Sequence, residues 1–245
     1  MNSLKEIYRL ESILVNKITD VLEKYEYKLM SKSLRGRVHT VDYKKKIKDG
    51  VFIFFIRIQP DLENFDIYFE AYYPKIVRRL KKINGFYDKH KYTFTGRMND
   101  YLDPLNRKDW FHNTTNLSVE NLPHSEQEIE KIVNKIEKKY VKVIEKEIIP
   151  RIDTLEKLNV LLNDYRTVYD ENENKPKMYT LSGGLIFQSL SALVLNSFFQ
   201  NENKEKLIKM YSWLLSAYRN KEGVDYVMLN NTLEALANTH QSKPQ

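Results

Sequence analysis

The run VFIFFIRIQ, residues 51–59, constrains what this chain can fold into more than any other segment. Residues 51–56 are apolar at every position, which predicts a strand covered on both faces and therefore central in its sheet. Asp49-Gly50 precedes it, a two-residue hairpin signal, and LRGRVHTVDYKKKI on the far side of that turn supplies the partner strand. After Pro60, FDIYFEAYY alternates Phe65, Ile67, Phe69 and Ala71 with Asp66, Tyr68, Glu70 and Tyr72, the pattern of a half-buried strand. KYTFTGRM and DWFHNTTN, within residues 91–115, read as further strands.

Helical periodicity brackets this β-rich region. Ser3 and Glu6 have capping-box spacing, and Ile7, Leu10, Leu14, Ile18 and Leu22 continue at helical period, which predicts an amphipathic helix to about residue 30. Ser125 with Glu128 opens a long helix whose stripe is Ile129, Ile132, Val133, Ile136, Tyr140, Val143, Ile144 and Ile148. Pro150 is expected to end it, its alternating Glu and Lys to form a solvated face, and Asp153 with Glu156 to cap a short Leu-rich helix. Residues 163–178 have linker composition, and three helices are expected beyond, at 181–199, 204–218 and 224–237. The first of these is apolar nearly all round, which suits the buried centre of a helical unit. The expected fold is α+β: an antiparallel sheet covered by helices over residues 1–163, a linker at 164–178, and an all-helical extension over 179–240.

A mixture of this kind, 42% hydrophobic and 30% charged in 245 residues, can bury a core without staples. The absence of cysteine excludes disulfides, thiolate metal sites and a cysteine nucleophile. No apolar leader of signal-peptide type opens the chain, so a cytoplasmic location is the expectation. The longest uncharged stretch, 178–201, would carry Gln188, Asn196 and Gln200 into hydrocarbon, which argues against a membrane span.

The net charge of +7 is concentrated in two places. Residues 1–50 hold 12 Lys and Arg against 7 Asp and Glu, and residues 75–91 hold 7 against 1. Within the second lies PKIVRRLKKING, residues 74–85. Pro74 suits a first helical position and Gly85 a left-handed terminator. At about 100° per residue, Ile76, Val77, Leu80 and Ile83 share an arc of roughly 120°, with Lys75, Arg78, Arg79, Lys81 and Lys82 opposite. An amphipathic helix docked on the sheet explains every residue type, and its charged arc is either a solvated face or an anion-binding surface. Tyr68, Tyr72 and Tyr73 lie close by in sequence. Exposed aromatics beside positive charge suit single-stranded nucleic acid, and equally a protein interface.

Sites for chemistry are few. No two of His39, His90, His112, His124 and His240 have zinc spacing, no Walker lysine follows a glycine-rich loop, and the short Ser182-Gly183-Gly184 run reads as a turn. Asp100, Asp103 and Asp109 lack the spacing of a calcium loop. Asp66 and Glu70 are the acids that a magnesium-dependent nuclease would need, although Tyr72 stands where that chemistry wants a lysine. No cofactor, metal or catalytic residue is therefore expected.

DWFH at 109–112 and KVIEKEIIPRIDTLEKLNVLL at 142–162 resemble a family of bacterial domains of unknown function, family 4304, over residues 1–163. The resemblance implies a compact cytoplasmic α+β module without an assigned activity. By analogy of fold, such modules serve as protein-binding partners, including immunity-like ones. Three functions follow as expectations: a non-catalytic module offering the basic helix or sheet face to an acidic protein; a nucleic-acid binder using Lys75, Arg78, Arg79, Lys81 and Lys82 with nearby tyrosines; or a nuclease using Asp66 and Glu70.

Overall fold

The computed structural model describes residues 4–33, 38–85, 94–97, 120–164, 168–170, 175–177, 185–199, 204–217 and 223–238. They are α+β, and they fall into two compact units. The first gathers the described residues of Met1–Ala71 and of 95–150. The second gathers those of Tyr72–Phe94 and Arg151–Gln245. This division differs from the expected boundary at 164–178: the basic helix and the short Leu-rich helix group with the C-terminal helices. The polar stretch expected to be a linker also holds strand, because Val168–Asp170 and Lys175–Lys177 pair there as a small antiparallel ladder.

In the first unit, helix α1 spans Leu4–Lys24. It stops earlier than its periodicity suggested, because Glu26 adopts φ 66°. The Tyr27 amide donates to Leu22 O and that of Glu26 to Glu23 O, closing the helix with a left-handed cap that has no glycine. Residues 28–33 are therefore strand. The sheet runs β1 (Lys28–Ser33), β2 (His39–Lys46), β3 (Val51–Gln59), β4 (Asn64–Tyr72), β5 (Phe94–Arg97), and β6 (Glu120–Asn121) also pairs with β4. The β2–β3 hairpin closes one residue earlier than expected: Lys46 faces Val51, and the Ile47 amide donates to Gly50 O, so Lys48-Asp49 makes the turn.

Strand β3 is central, as its sequence implies, but its two faces differ. Phe52, Phe54, Ile56 and Ile58 are fully buried, while Val51, Ile53 and Phe55 are only half covered and Arg57 is exposed. The buried face continues through Val41 and Tyr43 on β2 and Phe65, Ile67, Phe69 and Ala71 on β4. On β4 this is the expected alternation, except that Asp66 is buried too.

Helix α3 starts at Glu126, with the Ser125 hydroxyl accepting from the Glu128 amide. It does not stop at Pro150. It passes from Glu126–Lys135 through π-type turns at Ile136–Val141 and Ile144–Ile148 into Ile149–Ile152. A wider turn rotates the helix face, which is why Val141 is buried where a regular 3.6 period would bury Val143. Helices α1 and α3 pack together, tied at their rims by Arg9 to Glu126 at 2.6 Å and by Lys17 to Glu130.

The second unit is helical: α2 (Pro74–Asn84), α4 (Leu155–Asn159, extended by a π-type turn over Val160–Asp164), α5 (Leu185–Phe199), α6 (Lys204–Ala217) and α7 (Val224–Asn238). Thr154, not Asp153, caps α4, accepting from the Lys157 amide at 3.3 Å, while Asp153 pairs with the Lys157 ammonium at 2.8 Å. Helix α5 is the centre of this unit, its residues Leu190, Ala192, Leu193, Val194 and Leu195 buried as expected, and it packs against α2, α4 and α7. The DWFH segment, the Ser182-Gly183-Gly184 run and the Asp100–Asp109 cluster lie outside the described residues.

Candidate functional site: the cationic face of helix α2

Tyr73, in extended conformation, leads into Pro74 at the first turn of α2, where a missing N–H costs nothing. Gly85 ends the helix at φ 68°, its amide donating to Lys81 O at 2.8 Å. Any other residue would be strained there by its backbone alone, since no atom lies within 4 Å of the point a β-carbon would occupy. Between these ends, Ile76 and Leu80 are fully buried and Val77 and Ile83 half-buried. The partners of this aliphatic arc in its own unit are α5 and α7 rather than a sheet.

The apolar arc also holds one buried amide that its aliphatic pattern conceals. Asn84, 4% exposed, donates through Nδ2 to Leu80 O and to Thr232 Oγ1 on α7, both at 3.2 Å. Thr232 in turn donates to Met228 O. The orientation of α2 about its axis is thus fixed by apolar packing and by a directional polar contact together.

Opposite that arc, Lys75, Arg78, Lys81 and Lys82 are exposed and Arg79 half-buried. The helix contains no acidic residue. Among the described residues, no carboxylate pairs with Lys75, Arg78, Arg79 or Lys82; Arg78 Nε instead donates to Pro74 O at 3.3 Å. Lys75 with Arg78 and Arg79, Arg78 with Lys81 and Lys82, and Arg79 with Lys82 stand three or four residues apart. Each such like-charge neighbour opposes the helix by about 0.2–0.5 kcal/mol.

The tyrosines expected beside this face are placed differently. Tyr73 is fully buried, and its hydroxyl donates to Ile152 O. Tyr68 belongs to the first unit, half-buried and stacked on Phe55 with ring centroids 4.9 Å apart and planes 6° from parallel. Its hydroxyl donates to Asp66 Oδ2 at 3.4 Å. Tyr72 is half-buried at the end of β4 and falls with α2 in the second unit. Of the aromatic residues expected at the site, Tyr72 and Tyr73 fall in the unit of the basic helix, and of these two only Tyr72 is part-exposed.

Asp66 and Glu70 share one face of β4, yet four residues of strand separate them by about 13 Å. Magnesium holds its ligands at about 2.0–2.1 Å, so these two carboxylates do not bind one ion together. Asp66 is buried, and burial together with the charge of Asp42 raises the Glu70 pKa to about 7. Among the described residues, no group of three histidine or acidic side chains is placed to hold a metal, and no helix is long and apolar enough to cross a membrane.

No family model, no curated protein and no solved structure matches this chain.

Proposed function

We propose that the chain is a non-catalytic binding module that presents the cationic face of α2 to an acidic protein surface. The observation that carries this reading is charge of one sign crowded on a helix held in a fixed orientation. Packing and the Asn84–Thr232 contact hold α2 in place without its five cations, which repel one another. An anionic partner turns that repulsion into attraction. The helix is about 16 Å long, a footprint suited to the centre of a protein interface.

Single-stranded nucleic acid is the weaker candidate, because it wants aromatic faces open for stacking beside the charge. Tyr73 has no open face, and one face of Tyr68 is taken by Phe55. The resemblance to family 4304 over residues 1–163 runs in the same direction, and an immunity-like role is one form such a module takes.

The test begins with affinity capture from native extract, using the wild-type chain and an Arg78→Ala/Arg79→Ala variant. A protein of acidic composition that is recovered with the first and lost with the second is then purified and titrated. Its affinity for the variant should fall at least tenfold. Equal affinity for the two chains, or recovery of nucleic acid with the same dependence on Arg78 and Arg79, overturns the proposal.

A further inference from the structure

Strand β1, residues Lys28–Ser33, is exposed at every position, including Leu29 at 47% and Met30 at 46%. It ends the strand order, and among the described residues no strand pairs with its outer edge. An open edge carries unpaired backbone donors and acceptors, and such an edge invites another strand. The exposure of two large apolar residues there is a cost that burial in a solitary chain has not removed.

The charge around this edge selects what can add to it. Lys28 on β1 stands directly opposite Lys44 on β2, a like-charge pair that destabilises the ribbon. Lys32, Lys44 and Lys46 are also exposed. The one acid paired into β1, Asp42, is engaged by the Ser31 hydroxyl. A second copy of the chain adding its own β1 would bring two more lysines against this set.

We infer that the outer edge of β1 accepts an extended acidic segment of a partner protein by strand addition. Backbone hydrogen bonds supply the pairing, carboxylates on one face of the segment meet Lys28 and Lys44, and apolar side chains on its other face cover Leu29. This surface is built from residues of the first unit and α2 belongs to the second, so the inference stands or falls independently of the function proposed above.

The test uses a fluorescein-labelled nine-residue peptide alternating Glu and Val, measured by anisotropy, with backbone amide shifts followed by NMR on the full chain. Binding should shift the amides of residues 28–33. Affinity should fall at least tenfold for Lys28→Glu/Lys44→Glu and stay within twofold for Arg78→Ala/Arg79→Ala. The same peptide N-methylated at alternate amides keeps its charge but loses one hydrogen-bonding edge, and its binding should fall at least tenfold. That arm needs no variant to fold.

Three results overturn the inference: undiminished binding of the N-methylated peptide, shifts confined to α2, or a concentration-dependent dimer whose contacts map to β1. The first two mean plain electrostatic attraction, and the third means that a second copy is the occupant.

Discussion

His39 and Glu11 meet with Nδ1 and Oε1 2.8 Å apart, and neither side chain is more than 4% exposed. The contact joins β2 to α1, and Tyr8 stacks over the imidazole at 5.7 Å. Removing one partner of a buried hydrogen-bonded pair costs more than the net value of the bond, because the other is left desolvated. Glu11→Ala should therefore lower stability by about 2–4 kcal/mol, and Glu11→Gln, which keeps an acceptor, by less. Urea melts of the two variants check this. Equal, small losses would mean that the pair adds little to the packing around it.

Glu70 should make stability fall with rising pH. Burial, with the charge of Asp42 adding to it, raises its pKa from the usual 4.5 to about 7. Between those values the folded chain keeps a proton that the unfolded chain releases, so ionisation favours unfolding across that window. Glu70→Gln should remove most of the decline and raise stability at pH 8 by about 1–3 kcal/mol. Melts at pH 5 and pH 8 decide it: a wild-type decline retained in the variant would assign it to other groups.

At alkaline pH the tyrosines should act in the same sense. Burial raises the Tyr43 phenol to about 12, although the 2.9 Å hydrogen bond with Thr19 Oγ1 works against that rise. Burial also pushes the Tyr27 phenol far up, with nearby Glu145 adding to it. The folded chain keeps these protons as the unfolded chain loses them from about pH 10 upward, so stability should drop between about pH 10 and 12. Tyr43→Phe should cost about 1 kcal/mol at pH 8 through its lost hydrogen bond, yet show a shallower drop above pH 10. An unchanged alkaline slope would place the titrating groups elsewhere.

These buried groups show where the sequence could be read and where it could not. The amphipathic wheel of α2, the alternation of β4 and the capping of α3 by Ser125 are local patterns, and each appears in the fold. Tertiary events had no such signal. Glu26 takes a left-handed cap that glycine usually marks, and π-type turns exchange Val143 for Val141 in the core. Glu145, one of the charges expected to face water, is drawn half inside to meet Lys45 at 2.5 Å, with the ammonium 5.4 Å from the Tyr27 ring. The Glu11–His39 pair spans 28 residues and so leaves no short-range trace. At the candidate site the cations were legible because they segregate at helical period. Burial of Tyr73 was legible too, since residue 73 continues the inward series of Phe65, Ile67, Phe69 and Ala71.

Arg78→Glu should separate the stability of α2 from its recognition. The substitution removes like-charge neighbours at Lys75, Lys81 and Lys82 and sets a carboxylate four residues before Lys82, the favourable order along a helix. It sacrifices the 3.3 Å bond from Arg78 Nε to Pro74 O, an exposed contact of small net value. Stability should rise by about 0.3–1 kcal/mol, while affinity for the acidic partner falls at least tenfold. Asn84→Ala should do the reverse, lowering stability by about 1–2 kcal/mol through loss of the contact to Thr232 while leaving every cation in place. Thermal melts and a partner titration on the same samples check both. Binding and stability falling together in Arg78→Glu would make that arginine a structural residue, and the excess of positive charge on α2 would then lack a recognition role.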